Sequence, residues 1–432
     1  MRISVIGAGY LGATHAICMA SLGHEVVAVD VDASKVARLN NGELPFYEPG
    51  LSELLDGVRK KGLITFTTDI KQAEKSEFHF LCIGTPQQSE GLAADLSSLE
   101  AAFASLSHIA QSGSLIIGKS TVPVGTAQRF AEQLHKTKPE VALVWNPEFL
   151  REGHAVADTL SPDRIVIGGA NKSEAERLKK FYLEKSPSAP IFITNFATAE
   201  LVKVAANAFL ATKISFINAM SEVADATGAD VTVLADALGA DERIGRKFLG
   251  AGIGFGGGCL PKDIRAFLAR ADELGLANSL NFLREFDQIN QRARTRAVDL
   301  AVTTLGDVAG RKIAILGAAF KPESDDVRDS PALDIAFSLS QLGAEVVVHD
   351  PRAIDSARAR FPNLTYSDSV EVALKDAYLT MHLTEWELYR ALDPRELHSK
   401  VKNPVIFDGR NALDSDKWRS AGWRFLALGR SL

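Results

Sequence analysis

The stretch RISVIGAGYLGATHAICMASLGHEVVAVD, residues 2–30, decides the fold of the first part of the chain. An apolar strand-like run leads into Gly7, Gly9 and Gly12 of a GxGxxG pattern, a helix-like run follows, and a second apolar run ends at Asp30. This order is typical of a dinucleotide-binding βαβ unit, in which a pyrophosphate binds at the helix N-terminus. A carboxylate at Asp30 accepts hydrogen bonds from ribose hydroxyls and repels a 2′-phosphate, so the pattern favours NAD over NADP.

Further short apolar runs continue the pattern along the chain. They are FHFLCIG (78–84), SLIIGKS (114–120), VALVWNP (141–147), RIVIGG (164–169) and APIFITN (189–195). Helix-like stretches separate most of these runs, and this alternation predicts a mostly parallel sheet.

A second unit of the same kind begins near residue 310. GRKIAILGAAF (310–320) indicates a strand that enters a turn, PALDIAFSLSQLG (331–343) a helix, and AEVVVHDP (344–351) the next strand with its acid. The turn at Gly317 lacks the later glycines, so we expect this unit to hold another anionic ligand rather than a second dinucleotide. The basic residues available for that task are Lys321, Arg328 and Arg410.

The middle of the chain has a different sequence pattern. Residues 199–227 contain no Gly or Pro and carry apolar residues at helical spacing, which predicts one long helix ended by Gly228. Helical segments continue to about residue 305. The prediction is an α/β protein with two Rossmann-like doubly wound domains joined by a long central helix and a helical middle domain. The predicted boundaries are 1–198 for the NAD-binding domain, 199–305 for the helical domain and 306–432 for the second Rossmann-like domain.

Composition bounds the class of partner. The chain has 432 residues, 46% of them hydrophobic and 24% charged, with a net charge of −6, which argues against a nucleic acid or an anionic membrane as partner. The apolar run at 3–23 is interrupted by glycines and followed by another strand, so it fits a βαβ unit better than a signal peptide. Cys18, Cys82 and Cys259 show neither disulfide nor zinc spacing. We therefore expect a cytoplasmic protein with no membrane partner and no metal.

A thiol stands at the end of a glycine run in GFGGGCLPKD, residues 254–263. Pro261 suits the start of a helix, which puts Cys259 at the N-cap or just before it, where the helix dipole favours a thiolate. Lys262 adds positive charge, and Asp263 lies one turn further on, so both Cys259 and Asp263 can face one pocket. A free cysteine is often only a small buried hydrophobe, but the glycine run and the helix start favour a reactive thiol here.

Other polar residues are candidate catalytic residues because of their positions in the sequence. Lys203 and Asn207 are four residues apart on the predicted long helix and form either a donor pair for an oxyanion or ordinary solvated side chains. Two motif stretches follow strand-like segments, where open α/β sheets place their active-site crevice: KSTVPVG (119–125) and NPEFLREG (146–153). Within the second, Glu148 and Glu152 fit a base and a positioning carboxylate, or two surface charges.

Taken together, these stretches resemble the UDP-glucose/GDP-mannose dehydrogenase family. The matching stretches fall in order from end to end of the chain and are highly specific as a set. They are GAGYLG (7–12), LPFYEPGL (44–51), GKSTVPVGT (118–126), NPEFLREG (146–153), ELVKVAANAF (200–209), RIGRKFLGAGIGFGGGCLPKD (243–263), AAFKPESDDVRDSPAL (318–333) and FDGRN (407–411). The resemblance implies an NAD-binding N-terminal domain, a helical middle that forms a homodimer, and a C-terminal domain that binds the nucleotide of a sugar nucleotide.

The resemblance also implies a chemistry. A primary alcohol of a UDP-sugar is oxidised twice, to a carboxylate, with two NAD, and the favoured conversion is UDP-glucose to UDP-glucuronate. Cys259 is then the nucleophile that carries the sugar as a thiohemiacetal and a thioester. Lys203 and Asn207 stabilise the oxyanion, and Asp263 works with them on a water or a proton. The glycines before Cys259 are expected to let the backbone approach the sugar nucleotide and to let the loop adapt.

The remaining site residues follow from the same resemblance. Thr121 and Glu148 lie beside the reacting carbon, with Glu148 as the base of the hydrolytic step. The implied cofactor contacts are Gly7, Gly9, Tyr10, Leu11, Gly12, Asp30, Lys35, Thr85, Thr121, Glu152 and Arg328. The implied substrate contacts are Glu148, Phe149, Leu150, Arg151, Lys203, Asn207, Arg243, Phe248, Phe255, Gly256, Lys321 and Arg410, with Arg243 lent by the neighbouring subunit.

Two positions depart from the family pattern, and three alternatives stay open. Gly258 stands where the family usually has serine, and His154 replaces a usually small residue. The first change removes a hydroxyl near the cofactor, so the affinity for NAD is expected to suffer. The alternatives are the same chemistry on a UDP-N-acetylhexosamine or GDP-mannose, a single-step 3-hydroxyacid dehydrogenase that needs no thiol, and a non-enzymatic redox sensor that binds NAD.

Overall fold

A computed structural model of the chain describes residues 1–184 and 188–430. These residues form two compact units. The first unit contains Met1–Ala206 and Arg265–Gly275, and the second contains Asn207–Ile264 and the described residues from Leu276 onward. The predicted three-domain division stays a prediction, because the helices of the middle segment are shared between the two units.

Strands and helices alternate through the first part of the chain. The elements are β1 (Arg2–Ile6), α1 (Tyr10–Ser21), β2 (Glu25–Val29), α2 (Ala33–Asn41), α3 (Leu51–Lys60), β3 (Ile64–Thr67), β4 (Phe78–Leu81), α4 (Ser97–Ile109), β5 (Leu115–Gly118), α5 (Thr126–Thr137), β6 (Ala142–Trp145), α6 (Ala155–Leu160), β7 (Ile165–Gly169), α7 (Lys172–Leu183) and β8 (Ile191–Thr194). Each apolar run named from the sequence lies on one of these strands, and β3 is a strand that the sequence did not indicate.

The eight strands form one sheet in the order β3-β2-β1-β4-β5-β6-β7-β8. All neighbouring pairs are parallel except β6 and β7. Along β1, Ile3 and Val5 enter one apolar core and Ile6 enters another, because successive side chains of a strand point to opposite faces. The sheet is therefore doubly wound, with a core on each face, as predicted.

The middle of the chain is helical. Its elements are α8 (Phe196–Thr227), α9 (Val231–Gly239), α10 (Leu260–Glu273) and α11 (Asn281–Leu305). The long helix α8 begins three residues before the predicted Ala199, because the Asn195 side chain accepts a hydrogen bond from the Thr198 N–H at 2.8 Å and caps the first turn. It ends as predicted before Gly228, whose φ of 77° is left-handed. None of the helices in the described ranges is long and apolar enough to cross a membrane.

A second parallel sheet occupies the last third of the chain. The elements are β9 (Lys312–Leu316), α12 (Pro331–Gln341), β10 (Glu345–His349), α13 (Ile354–Arg360), β11 (Thr365–Tyr366), α14 (Val370–Leu374), β12 (Leu379–His382), α15 (Glu387–Arg390), α16 (Pro394–His398), β13 (Val405–Asp408), α17 (Ser415–Ser420) and β14 (Arg424–Ala427). The strand order is β11-β10-β9-β12-β13-β14. The predicted second Rossmann-like unit is confirmed, with β9, α12 and β10 at its start.

One glycine fixes the packing at the carboxyl ends of two central strands. Gly118 ends β5 and pairs in register with Trp145, which ends β6 and is fully buried. A Cβ atom at residue 118 would lie 2.2 Å from the Trp145 ring. The indole also donates a hydrogen bond to the Ser120 carbonyl at 3.2 Å, so the ring cannot move without losing this bond. This contact sets the spacing of the two strands that lead into the KSTVPVG and NPEFLREG stretches.

We predict that Gly118→Ala lowers the free energy of unfolding by about 1–3 kcal/mol, because an added methyl group overpacks a filled core. Chemical denaturation followed by tryptophan fluorescence measures the change. The control is Gly57→Ala on α3, where no atom lies within 4 Å of the added Cβ. A glycine-to-alanine change inside a helix should be neutral or stabilising. Equal stabilities of Gly118→Ala and the natural chain would show that the Trp145 contact is unimportant.

Candidate active site

The GxGxxG turn has the geometry that a pyrophosphate requires. Gly7 has a φ of 92°, and a Cβ at Gly12 would lie 1.8 Å from the Gly7 carbonyl oxygen, so both positions exclude a side chain. Gly9 caps α1 and has no atom within 4 Å of its Cβ position, which leaves open space at the helix N-terminus. The first turn of α1 carries no acidic residue. The turn therefore fits a dinucleotide phosphate.

Asp30 lies beside this turn at the end of β2. Its carboxylate accepts hydrogen bonds from the Ala8 N–H at 2.7 Å, the Asp32 N–H at 3.0 Å and the Lys35 ammonium at 3.0 Å. Burial alone would raise the pKa of Asp30, but these bonds outweigh burial and hold the pKa below its usual range. The predicted ribose ligand is thus an ionised carboxylate, and the predicted cofactor residue Lys35 is its ion-pair partner.

A loop between β5 and α5 carries Thr121. The Thr85 hydroxyl donates to the Thr121 carbonyl at 2.7 Å. At the other end of the loop, the buried Glu200 carboxylate accepts hydrogen bonds from the Gly125 N–H at 2.8 Å and the Ala127 N–H at 2.7 Å. Glu200 lies on α8 one turn before Lys203, and it had no predicted role. It holds the loop by capping the N-terminus of α5.

Glu148 and Lys203 form a buried ion pair. Their charged atoms lie 3.0 Å apart, and Glu148 also accepts a hydrogen bond from the Leu150 N–H at 2.6 Å. The Lys203 ammonium lies 5.6 Å from the centre of the Phe149 ring, and the Arg164 guanidinium lies 3.9 Å from the same centre. The structure thus joins two predicted catalytic residues, and Lys203 is not a solvated surface lysine.

A buried polar cluster lies next to this pair. Lys119 is buried, and its ammonium donates to the Asn146 side-chain oxygen at 3.0 Å, which also accepts from the Tyr182 hydroxyl at 2.7 Å. Lys119, Asn146 and Glu148 line a cavity of about 60 Å³. Burial lowers the pKa of Lys119, and so does the charge on Lys203, while the Glu148 carboxylate opposes them. Lys119 stands in a motif that sequence reasoning singled out, but no role was predicted for it.

Glu48 fixes the segment that contains Glu152. The buried Glu48 carboxylate accepts hydrogen bonds from the Tyr10 hydroxyl and from the N–H groups of Gly153 and Ala155, both at 2.7 Å. Glu152 is close enough to Tyr10 that its charge raises the pKa of that phenol, after the larger effects of burial and of Glu48. The sequence offered one signal for Glu48, its place inside the matching stretch 44–51.

The side chain of Arg151, a predicted substrate contact, binds another residue of the protein. Its guanidinium forms a fork with the Asp158 carboxylate, with distances of 2.9 and 2.5 Å. About half of the Arg151 side chain is exposed. Its role in substrate binding stays a prediction, and the observed fork holds the segment ahead of α6.

Cys259 lies where the sequence predicted, immediately before the first residue of α10. Its carbonyl accepts the helical hydrogen bond from the Asp263 N–H at 2.9 Å. Cys259 is exposed, whereas Cys18 and Cys82 are buried and burial raises the pKa of each to about 12. Of the three thiols, Cys259 alone is accessible and at a helix N-terminus, where a thiolate is favoured.

Asp263 and Asn207 are bonded to each other. The Asn207 amide donates to the buried Asp263 carboxylate at 2.7 Å, and the Lys262 ammonium donates to its other oxygen at 2.6 Å. Lys262 is therefore the ion-pair partner of Asp263. Because α8 is continuous, Asn207 stands one turn after Lys203 on the same helix. The predicted pair of donors is thus held by two different carboxylates, Glu148 and Asp263.

The glycine run before Cys259 does not form the adaptable loop that was expected. Residues 251–257 are buried. A Cβ atom at Gly254, Gly256, Gly257 or Gly258 would lie within 2.2–2.8 Å of Asn290, the Asp329 carbonyl, the Phe320 ring and the Arg328 guanidinium respectively. The glycines therefore make room for the protein's own chain, and the loop is packed rather than loose.

Two side chains of α11 grip the backbone of Phe255. Asn290 accepts a hydrogen bond from the Phe255 N–H at 2.8 Å and donates to its carbonyl at 3.0 Å. Arg294 donates to the same carbonyl at 2.9 Å. Phe255 itself is buried. No local pattern in the sequence identifies Asn290 or Arg294, because their target lies about 35 residues earlier in the chain.

Arg410 is bonded mainly to carbonyl groups. Its guanidinium donates to the carbonyls of Leu383 at 2.8 Å, Gly254 at 2.8 Å and Phe320 at 3.1 Å. Burial lowers the pKa of Arg410, while the Glu385 carboxylate opposes this effect. Arg410 thus joins the Cys259 loop to the turn after β9, and its predicted role as a nucleotide ligand stays a prediction.

The other predicted substrate residues in this unit lie at the surface or beside the glycine run. The Lys321 ammonium lies 5.4 Å from the centre of the Phe320 ring. Phe248 is partly exposed and has a φ of 66°, which is uncommon outside glycine. Arg243 is 89% exposed and pairs with Asp241. The role of Arg243 in a neighbouring subunit stays a prediction.

Asp350 holds the turn of the second Rossmann-like unit. It accepts hydrogen bonds from the Ala318 N–H at 2.8 Å, the Ala319 N–H at 3.0 Å and the Trp386 indole at 3.1 Å. A Cβ at Gly317 would lie 2.3 Å from the Thr384 hydroxyl, so this position excludes a side chain as Gly7 does. That this unit holds another anionic ligand rather than a second dinucleotide stays a prediction.

The whole chain is similar to proteins of one family. Profiles of the UDP-glucose/GDP-mannose dehydrogenase family match residues 1–185 as its NAD binding domain, 197–292 as its central domain and 314–415 as its UDP binding domain. UDP-glucose 6-dehydrogenase TuaD of Bacillus subtilis is 41% identical over 434 residues, which cover 99% of this chain and 93% of that protein. UDP-glucose 6-dehydrogenase of Rhizobium meliloti is 38% identical over 440 residues and 100% of both chains. A solved UDP-glucose dehydrogenase of the archaeon Pyrobaculum islandicum has a TM-score of 0.90 at 37% identity and covers 100% of this chain and 98% of its own.

We predict that Glu200→Gln loosens the Thr121 loop, because an amide NH₂ in place of one carboxylate oxygen leaves a buried N–H of Gly125 or Ala127 unpaired. The expected loss is about 1–3 kcal/mol. Hydrogen exchange of residues 121–127, read by mass spectrometry, should become faster. The control Glu132→Gln changes an exposed carboxylate on the same helix α5 and should leave the exchange unchanged. Unchanged exchange in Glu200→Gln would show that the cap does not hold the loop.

Proposed function

The chain belongs to the UDP-glucose/GDP-mannose dehydrogenase family, and from this premise we propose that it oxidises UDP-glucose to UDP-glucuronate with two NAD. The observation that carries the proposal is the position of Cys259. It is the one exposed thiol of three, it lies at the start of α10, and the Asp263–Asn207 pair lies one turn away. The names of the three relatives described above, each a UDP-glucose dehydrogenase, support the choice of sugar.

The residues that fit NAD are those of the first βαβ unit. The open space at Gly9 would receive the pyrophosphate, and Asp30 would accept the ribose hydroxyls. Lys35, Thr85 and the segment at Glu152 are further proposed contacts, together with the other cofactor residues named from the sequence. NAD, when bound, supplies the hydride acceptor for each of the two oxidations.

The proposed reaction uses the thiol between the two oxidations. The first oxidation converts the primary alcohol of the glucose into an aldehyde. The Cys259 thiolate adds to the aldehyde carbon, and the new oxyanion takes up a proton to give a thiohemiacetal. The second oxidation removes a hydride and a proton and leaves a thioester. Water then adds to the thioester carbon, the C–S bond breaks, and the carboxylate and the free thiol are released.

The surrounding side chains have roles that match their contacts. Lys203 and Asn207 donate hydrogen bonds to the oxyanion, because positioned donors stabilise charge that develops in a transition state. Glu148, the ion-pair partner of Lys203, is the proposed base for the hydrolytic water. Asp263 holds Asn207 and moves a proton to or from water. Thr121 contacts the reacting group from its loop.

The proposed sugar-nucleotide contacts come from the second unit. Lys321 and Arg410 are the proposed ligands of the nucleotide, and the loop from Phe248 to Gly257 is proposed to line the sugar nucleotide. The bonds of Arg410 to backbone carbonyls support a double role, in which the same side chain holds the Cys259 loop and faces the nucleotide.

The proposed assembly is a homodimer formed through α8. Three exposed apolar residues stand at intervals of seven along this helix: Phe209 is 66% exposed, Phe216 is 42% exposed and Val223 is 52% exposed. A seven-residue spacing places them in one stripe, as in helices that pair with each other. The exposed Arg243 is then lent to the partner's site. The proposed location is the cytoplasm, where an exposed reactive thiol stays reduced.

We predict that the protein forms two NADH for each UDP-glucose consumed and that Cys259→Ala forms at most one. Absorbance at 340 nm gives the NADH count, and chromatography gives the sugar nucleotide. The control is Cys18→Ala, which removes a buried thiol and should keep the ratio of two. A ratio of one in the natural protein, or of two in Cys259→Ala, would refute the double oxidation. Faster turnover of UDP-N-acetylglucosamine or GDP-mannose than of UDP-glucose would refute the choice of sugar.

We predict that the double variant Phe209→Glu/Phe216→Glu shifts the protein from dimer to monomer, because four carboxylates cannot be buried at one apolar interface. Light scattering after size-exclusion chromatography measures the mass. Val372→Glu, at an exposed apolar residue of α14, is the matched control and should leave a dimer. A natural protein that runs as a monomer, or a double variant that stays dimeric, would contradict this interface.

A further inference from the structure

Arg328 lies directly over the residue that precedes Cys259. The Cβ position of Gly258 is 2.2 Å from the Arg328 Cζ atom, 2.4 Å from Nη1 and 2.5 Å from Nη2. Gly258 does not have a left-handed φ, so its backbone conformation admits any residue. The guanidinium, and not the backbone, is what excludes a side chain at this position.

Arg328 is held both at its side chain and at its backbone. Asp326 binds the guanidinium, with 2.9 Å from Nε to one carboxylate oxygen and 2.7 Å from Nη2 to the other. The Arg328 carbonyl accepts a hydrogen bond from the Gly257 N–H at 2.8 Å, which ties the arginine's backbone to the glycine run. A fork of this kind fixes the plane of an arginine side chain, so the guanidinium has a defined place against Gly258.

We propose that Arg328 favours the ionised form of the Cys259 thiol and that Gly258 is present so that the guanidinium can come close enough to do so. The inference rests on the proposed role of Cys259 as nucleophile, and it adds a residue that prepares the thiol before substrate or cofactor binds. Consecutive Cα atoms are about 3.8 Å apart, so a cation seated on Gly258 is a near neighbour of Cys259. A nearby positive charge stabilises a thiolate.

Other charged groups of the same compact unit stand on the elements around the thiol, and Glu323, Asp325 and Asp329 lie on the same segment as Arg328. On α10, Lys262 and Asp263 form an ion pair at 2.6 Å. On the segment after β9, Lys321 stands over the Phe320 ring, and Asp326 offsets part of the charge on Arg328. The N-terminus of α10 adds its own dipole. Arg328 is the cation placed against the residue next to the thiol, so its removal should change the pKa of the Cys259 thiol.

The glycine leaves the space that this arrangement needs. A serine Cβ cannot occupy the space that the Arg328 guanidinium fills. Introducing a serine at this position should therefore displace the arginine.

The experiment measures the pKa of Cys259 in the protein without substrate or NAD. The rate of alkylation by iodoacetamide is followed from pH 5.5 to 10, and mass spectrometry of the Cys259 peptide separates it from the buried Cys18 and Cys82. Arg328→Gln should raise the thiol pKa by roughly 0.5 to 1 unit, since the arginine is partly exposed and screened. Arg328→Lys should raise it less, and Gly258→Ser should raise it as Arg328→Gln does.

A matched control and a double variant locate the cause. Gly250→Ala adds a methyl group to the same loop where no atom lies within 4 Å, and it should leave the pKa unchanged. If Gly258→Ser acts by displacing Arg328, it should cause no further change in the thiol pKa when Arg328→Gln is already present. Circular dichroism confirms that each variant is folded.

Two results would overturn the inference. One is an unchanged thiol pKa in Arg328→Gln, and the other is a shift in Gly258→Ser that persists in full when Arg328 is already absent. Neither result depends on turnover. If the thiol pKa does not change as expected, the prediction of two NADH for each UDP-glucose is unaffected. If the NADH count is not two, the pKa of the thiol can still be measured.

Discussion

The loop in front of Cys259 can occupy its place only because four of its residues have no side chain. At each of these glycines, a single added carbon atom would enter space that the protein's own residues already fill. The thiol is therefore positioned by close backbone packing and by the first turn of α10, and not by side chains of the loop. In the proposed reaction this thiol is the nucleophile, and a nucleophile held in this way has little freedom to move, which lowers the cost of reaching the reacting carbon.

Carboxylates hold the other side chains that are proposed as catalytic. Glu200 caps the helix that follows the Thr121 loop, Glu148 pairs with Lys203, and Asp263 binds Asn207. Each carboxylate has hydrogen-bond or ion-pair partners, as a buried charge must if it is not to destabilise the fold. Glu200, Lys203 and Asn207 stand on α8, and rigid elements position reacting groups more accurately than loops do.

Much of this arrangement could be predicted from the sequence, because its signals are local. The GxGxxG turn, the strands that carry the named apolar runs, the end of α8 at Gly228 and the place of Cys259 before α10 each depend on residues close in the chain. The structure corrected the predictions that depend on residues far apart in the chain. The glycine run was expected to adapt to the substrate, and instead it packs against Asn290 and against the segment from Phe320 to Asp329. No spacing in one sequence reveals such partners. Likewise, Arg410 shows as a basic residue in a motif, but its carbonyl partners become visible only in three dimensions.

The central claim is that the sulfur of Cys259 carries the half-oxidised sugar through the second oxidation, and the most direct test is to isolate that intermediate. The protein is mixed with NAD and UDP-glucose carrying a labelled glucose, the reaction is stopped with acid during the first turnovers, and the digested chain is mapped by mass spectrometry. The account predicts a label joined to the peptide that contains Cys259, at the mass of a thioester, which disappears as the acid product forms. If the labelled acid forms at its usual rate and no label is found on that peptide at any time, the account is contradicted.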